Sequence, residues 1–246
     1  MAEEIRLNDS KLGTKQYWNE FYQKEIENFD ENDQDTGENW FDDSDAERRV
    51  IDFFIGLVEE GQFGSSDSLS VLDLGTGNGH FLFELNQEIE EQDVAINLFN
   101  NGIDYSPESV DFAKKIAQKK FPDQSYTFEE VDFISKECKY LEENQGKFNV
   151  VFDKGTLDAI ALNNDPIDGF DGKIGVGVYP IQVSKLMSPG SLLIITSCNF
   201  TEEELTKLIT QDENNKLKVF QKVEYPSFQF GGQKGSTICT IAFEKV

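Results

Sequence analysis

Asp73, Gly75, Gly77 and Gly79 stand on alternate positions in Val71-Leu72-Asp73-Leu74-Gly75-Thr76-Gly77-Asn78-Gly79. An apolar run precedes them and Phe81-Leu82-Phe83-Glu84-Leu85 follows, so the stretch reads as strand, tight turn and helix. Glycine is needed where the backbone takes a positive φ or where a ligand must lie against it. The helix beyond presents unpaired N–H groups and the positive end of its dipole. Together these make a ligand pocket at the carboxyl end of a strand. A dinucleotide fingerprint would be G-x-G-x-x-G. Counted from Gly75, its third glycine falls on His80, whereas the third glycine of this chain is Gly79. Asp73 would also repel a pyrophosphate. A ribose-bearing ligand with a positive charge suits the turn better.

The elements that must position such a ligand alternate along the chain. A strand over residues 69–74 leads to a helix from near Gly79, and a second strand ends at Gly102-Ile103-Asp104. Ser106-Pro107-Glu108 opens the next helix with a cap and a first-turn proline. Strands over 126–131, 148–152 and 191–197 follow, with helices expected at 134–141 and 179–187 between them. Residues 163–177, rich in Asp, Asn and Gly, read as a surface insertion. Thr201 with Glu204 forms a capping box, and two strands without a helix between them, 216–223 and 237–243, close the chain. The pattern is α/β: a mainly parallel sheet, helices on both faces and an antiparallel hairpin at one edge. Ahead of it, residues 1–43 read as an N-terminal helix and acidic lid segment on a domain spanning 44–246. The first ten residues read as frayed.

Asp73, Asp104, Asp132 and Asp153 fall at successive strand ends on one rim. Taken singly, Asp104, Asp132 or Asp153 is more readily a helix cap or a solvated loop acid; their phasing argues for a site. Asp104 can accept both hydroxyls of a ribose. Asp132 can accept from an adenine amino group while Phe133 covers the ring. Ribose, adenine and positive charge together describe S-adenosylmethionine. The stretches 71–79, Gly102-Ile103-Asp104-Tyr105-Ser106 and Val131-Asp132-Phe133 resemble the class I, seven-strand S-adenosylmethionine-dependent methyltransferases. That resemblance implies a Rossmann-like seven-strand mixed sheet. It also implies cofactor contacts from Asp73, Gly75, Thr76, Gly77, Asn78, Gly79, Asp104, Tyr105, Ser106, Asp132, Phe133 and Asp153, with Trp18 and Trp40 above them.

The fourth strand runs into Asp153-Lys154-Gly155-Thr156-Leu157-Asp158. This stretch, with residues 11–18, Asp35-Thr36-Gly37-Glu38-Asn39-Trp40-Phe41, 196–201 and 228–232, resembles the elongation factor 1-alpha lysine methyltransferases of the methyltransferase-like 10 type, fungal members included. The resemblance covers nearly the whole chain. It implies protein-lysine methylation, with Asp153, Thr156, Asp158 and Trp40 on the acceptor side. Asp153 and Asp158 would hold the ammonium, and Trp40, Trp18 and Phe230 would wall it from water. A small-molecule N- or O-methyltransferase would share the cofactor rim, and so would a cofactor-binding partner protein without catalysis.

The formal net charge of −25 disfavours nucleic acid and favours a basic protein partner. Residues 25–47 hold eleven acids and no Lys or Arg, either a solvated face or a docking surface. One histidine, His80, rules out a His-rich metal cage and reads as a helix-start residue without catalytic duty. Three cysteines without a CxxC pair suit a reducing compartment. The start, Met1-Ala2-Glu3-Glu4, lacks the features of a signal peptide, and no apolar run reaches membrane-spanning length. A cytoplasmic monomer away from membranes is the expectation.

Overall fold

The computed structural model describes residues 5–225, 228–230, 233–235 and 237–246. Met1 to Glu4 and the quoted Gly231 and Gly232 lie outside the described residues, as does the side chain of Phe230. The chain runs α1 (Lys15–Glu31), α2 (Ala46–Glu59), β1 (Ser68–Leu74), α3 (His80–Glu91), β2 (Asn97–Asp104), α4 (Pro107–Lys120), β3 (Tyr126–Glu130), α5 (Lys139–Glu143) and β4 (Phe148–Lys154). It continues with α6 (Thr156–Ala161), α7 (Gly175–Leu186), β5 (Met187–Ser197), α8 (Glu202–Thr210), β6 (Leu217–Val223), β7 (Phe228–Phe230), β8 (Gln233–Gly235) and β9 (Cys239–Lys245).

Among the described residues, seven strands form one sheet in the order β3-β2-β1-β4-β5-β9-β6, and β7 pairs with β8 apart from it. The first five are parallel. β9 slots between β5 and β6, antiparallel to both. This is the Rossmann-like mixed sheet expected, with its antiparallel edge. Both faces of the central strands are apolar, so each needs a cover. Leu72, Leu74, Val151, Leu193 and Ile195 pack on the side of α5 to α8. Val71, Val150, Phe152, Leu192 and Ile194 pack on the side of α1 to α4. The strand order reverses between β1 and β4, where ligands sit in such sheets.

Several expectations need correction. The segment 163–177 is not wholly a surface insertion, because α7 begins at Gly175 and its first residues are buried. A Cβ on Gly175 would lie 2.7 Å from Ile160 Cγ2, so the glycine that looked like a breaker lets α6 and α7 touch. Pro180 sits in the middle of α7. The helix expected over 134–141 shrinks to Lys139–Glu143. Residues 5–10 are not frayed: Ile5 and Leu7 pack on the core. The Asn164 side chain donates to Leu7 O at 2.8 Å and to Asp9 Oδ1 at 2.7 Å.

Candidate active site

The glycine turn is laced to its neighbours at distances that leave no room for side chains. Gly75 has φ +64°, and a Cβ there would lie 2.1 Å from Thr156 Oγ1. That hydroxyl donates to Leu74 O at 2.6 Å, tying the start of α6 to the end of β1. Gly77 has φ +57°, and a Cβ there would lie 2.6 Å from the Tyr22 hydroxyl. Asp104 organises the turn from β2. Its Oδ2 accepts from Gly77 N–H at 3.1 Å and its Oδ1 from Ser106 N–H at 2.9 Å. The Ser106 hydroxyl then caps α4 by accepting from Ser109 N–H.

A cavity of about 510 Å³ opens over this rim. Gly75, Asp104, Tyr105, Asp132, Phe133 and Lys15 line the end above β1 to β3. Trp40, Phe41, Gly155, Thr156, Asp158 and Asn199 line the end above β4 and β5. Trp18 and Tyr22 of α1 roof the middle, their rings stacked at 6.0 Å. Trp40 meets Trp18 edge-on at 5.4 Å, and Trp18 Nε1 donates to Leu12 O at 2.7 Å. The volume and the mixture of aromatic walls with a few fixed polar groups suit a nucleoside-sized ligand.

Other expected site residues stand behind this lining. Asp73, Thr76, Gly77, Asn78, Gly79 and Ser106 shape the turn without lining the cavity. Thr76 N–H donates to Ile103 O at 3.0 Å. A Cβ on Gly79 would lie 2.8 Å from the Phe83 ring. Asn78 Nδ2 donates to Thr36 O at 2.9 Å, so it grips the acidic segment. Asp153 departs most from its expected place among the acceptor-side groups. It is 1% exposed, and its carboxylate accepts from Thr156 and Leu157 N–H and, at 2.6 Å, from Tyr179 O–H. It caps α6 and does not line the cavity. Asp158 does line it, with its own oxygens held by the Ser197 hydroxyl and, at 2.8 Å, by Cys198 N–H. Burial raises the pKa of Asp104, Asp132 and Asp158.

Burial also pushes Asp73 and Asp153 up to about 7. Between about pH 4 and pH 7 the folded protein therefore holds more protons than the unfolded chain, and stability falls as pH rises through that window. Thermal melting of the ligand-free protein is expected to drop by about 5–10 °C from pH 5.5 to pH 8. Asp73→Asn should flatten that slope. An unchanged slope in the variant would remove Asp73 as its source.

Sequence reasoning missed a charged cluster beside the cavity. Lys154, the last residue of β4, pairs with Glu47 of α2 at 3.1 Å. Glu47 in turn meets His80 Nδ1 at 2.8 Å. Burial opposes ionisation of Glu47, but His80 and Lys154 outweigh it and hold its pKa low. Burial likewise opposes charge on His80, and Glu47 outweighs it and raises the imidazole. The members come from three separated stretches, and only the position of His80 at the start of α3 was legible. The acidic segment is also less free than its composition suggests. Asp30 pairs with Lys115, and Asp33 pairs with Lys119 at 2.9 Å.

A methyltransferase-domain family model matches residues 65–240. Protein-lysine N-methyltransferase EFM4 of Saccharomyces cerevisiae is 47% identical over 240 residues, covering 97% of this chain and 96% of that one. Its Schizosaccharomyces pombe namesake is 36% identical, covering 97% and 95%. Human EEF1A lysine methyltransferase 2 is 31% identical, covering 96% and 88%. Among solved structures, a putative class I S-adenosylmethionine-dependent methyltransferase from Listeria monocytogenes aligns with a TM-score of 0.56 at 12% identity, covering 96% and 70%. Magnesium protoporphyrin IX methyltransferase from Synechocystis, with bound S-adenosylmethionine, aligns at 0.52 and 16% identity, covering 92% and 97%. These two share the fold. With a domain match across most of its length and relatives aligned nearly end to end, the chain belongs to the methyltransferase family that includes EFM4 and EEF1A lysine methyltransferase 2.

Proposed function

We propose that this chain is an S-adenosylmethionine-dependent protein-lysine N-methyltransferase acting on translation elongation factor 1-alpha. The observation that carries the proposal is the two-ended cavity: fixed carboxylates at the β2–β3 end, aromatic walls with Asp158 at the β4–β5 end. Kinship with enzymes named for EEF1A lysine methylation supports the substrate.

The donor set fits the cofactor. Asp104 would accept from the ribose hydroxyls, Asp132 and Phe133 would take the adenine, and Gly75 would let the amino-acid portion lie against the backbone. When bound, S-adenosylmethionine supplies a methyl group on a positively charged sulfur. The chain's own residues must prepare the acceptor. A lysine has a pKa of roughly 10.4, so neutralising it at pH 7 costs about 4.6 kcal/mol. Trp40, Trp18 and Phe41 exclude water, and a dry site disfavours the ammonium. Asp158 faces the same end and would dock the ammonium before its proton leaves to water. Asp153 acts one step back, by fixing the start of α6 and with it Thr156 and Asp158. Alignment of the amine in this channel then supplies rate.

Residues 1–43 serve in this reading as a lid on a domain spanning 44–246. The net charge supports a basic protein partner over a nucleic acid. Internal pairing of Asp30 and Asp33 shifts the acidic segment toward a structural part.

The test is methyl transfer from labelled cofactor to a cytosolic extract and to purified elongation factor 1-alpha, with mass spectrometry of the product. Label on a lysine is the expected result. Label in a small-molecule fraction, or tight cofactor binding with no transfer at all, would overturn it.

A further inference from the structure

We infer that Lys154 is a positioning residue that clamps the Trp40 wall over the acceptor end of the cavity. The inference rests on the methyltransferase reading only for what that wall does. The Lys154 ammonium makes two hydrogen bonds and one ion pair, all to the segment and helix that flank the rim. It donates to Asn39 Oδ1 at 2.8 Å and to Trp40 O at 2.9 Å, and pairs with Glu47 Oε2 at 3.1 Å. The side chain is 15% exposed, so these contacts are made in a setting where charge-assisted bonds are strong.

The neighbouring residue supplies an independent sign. Phe41 has φ 70°, a left-handed backbone that a bulky side chain rarely adopts. Such strain persists only where surrounding contacts over-determine it. Those contacts are visible. The Phe41 ring presses on Gly155, where a Cβ would lie 2.9 Å from Cε2. Lys154 pins the preceding carbonyl. On the other flank, Asn39 Nδ2 donates to Glu47 Oε1 at 3.3 Å, and Asn78 holds Thr36 and Glu38. Residues 36–41 are thus stretched across the rim of β4, with Trp40 and Phe41 turned into the cavity. Lys154 reaches the cavity lining, but its polar contacts go to Asn39, Trp40 and Glu47. It holds the two rings that keep water from the acceptor amine.

Lys154→Met is expected to slow turnover on protein substrate by about ten- to a hundredfold while cofactor affinity stays within about threefold. Lys154→Arg should restore most of that loss, because it can still donate to the Trp40 carbonyl. Hydrogen exchange over residues 36–41 should quicken in Lys154→Met. Asn39→Ala removes one clamp acceptor and one donor to Glu47 but leaves Glu47 its pairs with Lys154 and His80, so it should give an intermediate quickening even if Lys154→Met folds poorly. Unchanged exchange in both variants, or cofactor affinity lost in step with turnover, would overturn the clamp. The exchange readout needs no substrate. A wild-type protein that transfers no methyl group would therefore defeat the functional reading, and the exchange result would still decide the clamp.

Discussion

Asp104→Ala is expected to weaken cofactor binding by about a hundred- to a thousandfold. The carboxylate is 7% exposed and serves on two sides. Inside, it accepts from Gly77 and Ser106 N–H and so shapes both the glycine turn and the start of α4. Outside, it faces the cavity where a ribose would bring two hydroxyls. Hydrogen bonds to a charged group contribute about 1.5–3 kcal/mol each, so losing the pair accounts for the magnitude. Asp104→Asn should be nearly as damaging. Its amide nitrogen cannot accept, so one of the two backbone N–H groups loses its partner. Titration calorimetry with the cofactor checks both variants. Affinity within fivefold of the unsubstituted protein in Asp104→Ala would show that the ligand sits elsewhere.

Gly75→Ala is expected to cost about 2–4 kcal/mol and to lower the melting temperature by about 5–15 °C. Two separable causes act. An L-residue in the left-handed region costs about 1–2 kcal/mol. The new methyl would also overlap Thr156 Oγ1 and drive that side chain off Leu74 O, a loss of about 1 kcal/mol. Combining Gly75→Ala with Thr156→Ala makes room for the methyl, so the pair should cost less than the sum of the two single changes. Thermal denaturation of the four proteins gives the comparison. Strict additivity would mean that the contact contributes nothing.

The glycine turn was legible because every signal in it is local. The same holds for the cap at Ser106-Pro107 and the capping box of Thr201 with Glu204, which the structure reproduces. The seven-strand sheet followed from alternation and from family resemblance. The role of Asp153 was not legible. An acid at a strand end faces a ligand or caps the next helix according to how the chain turns there. The turn is decided by Tyr179, which approaches from α7. The start of α7 was misread for a related reason: Gly175 looks like a breaker, and only burial against α6 reveals it as a packing residue. The Lys154–Glu47–His80 cluster joins β4, α2 and α3 and carries no periodic signature. Ion pairing of Asp30 and Asp33 depends on lysines of α4 that composition alone leaves unplaced.

The place of β9 sets an order of assembly during synthesis. β5 pairs with β4 on one side, but its other edge waits for β9, and β6 has no seat until β9 arrives. Roughly forty residues separate the end of β5 from the start of β9, so at about 5–20 residues per second the nascent chain carries that edge unpaired for about 2–8 s. Leu192, Leu193, Ile194 and Ile195 form that edge, and all are buried once the sheet closes. An open, apolar strand edge is a template for pairing with other chains. The interval before β9 emerges is therefore one in which an apolar edge of the sheet lies open to other chains.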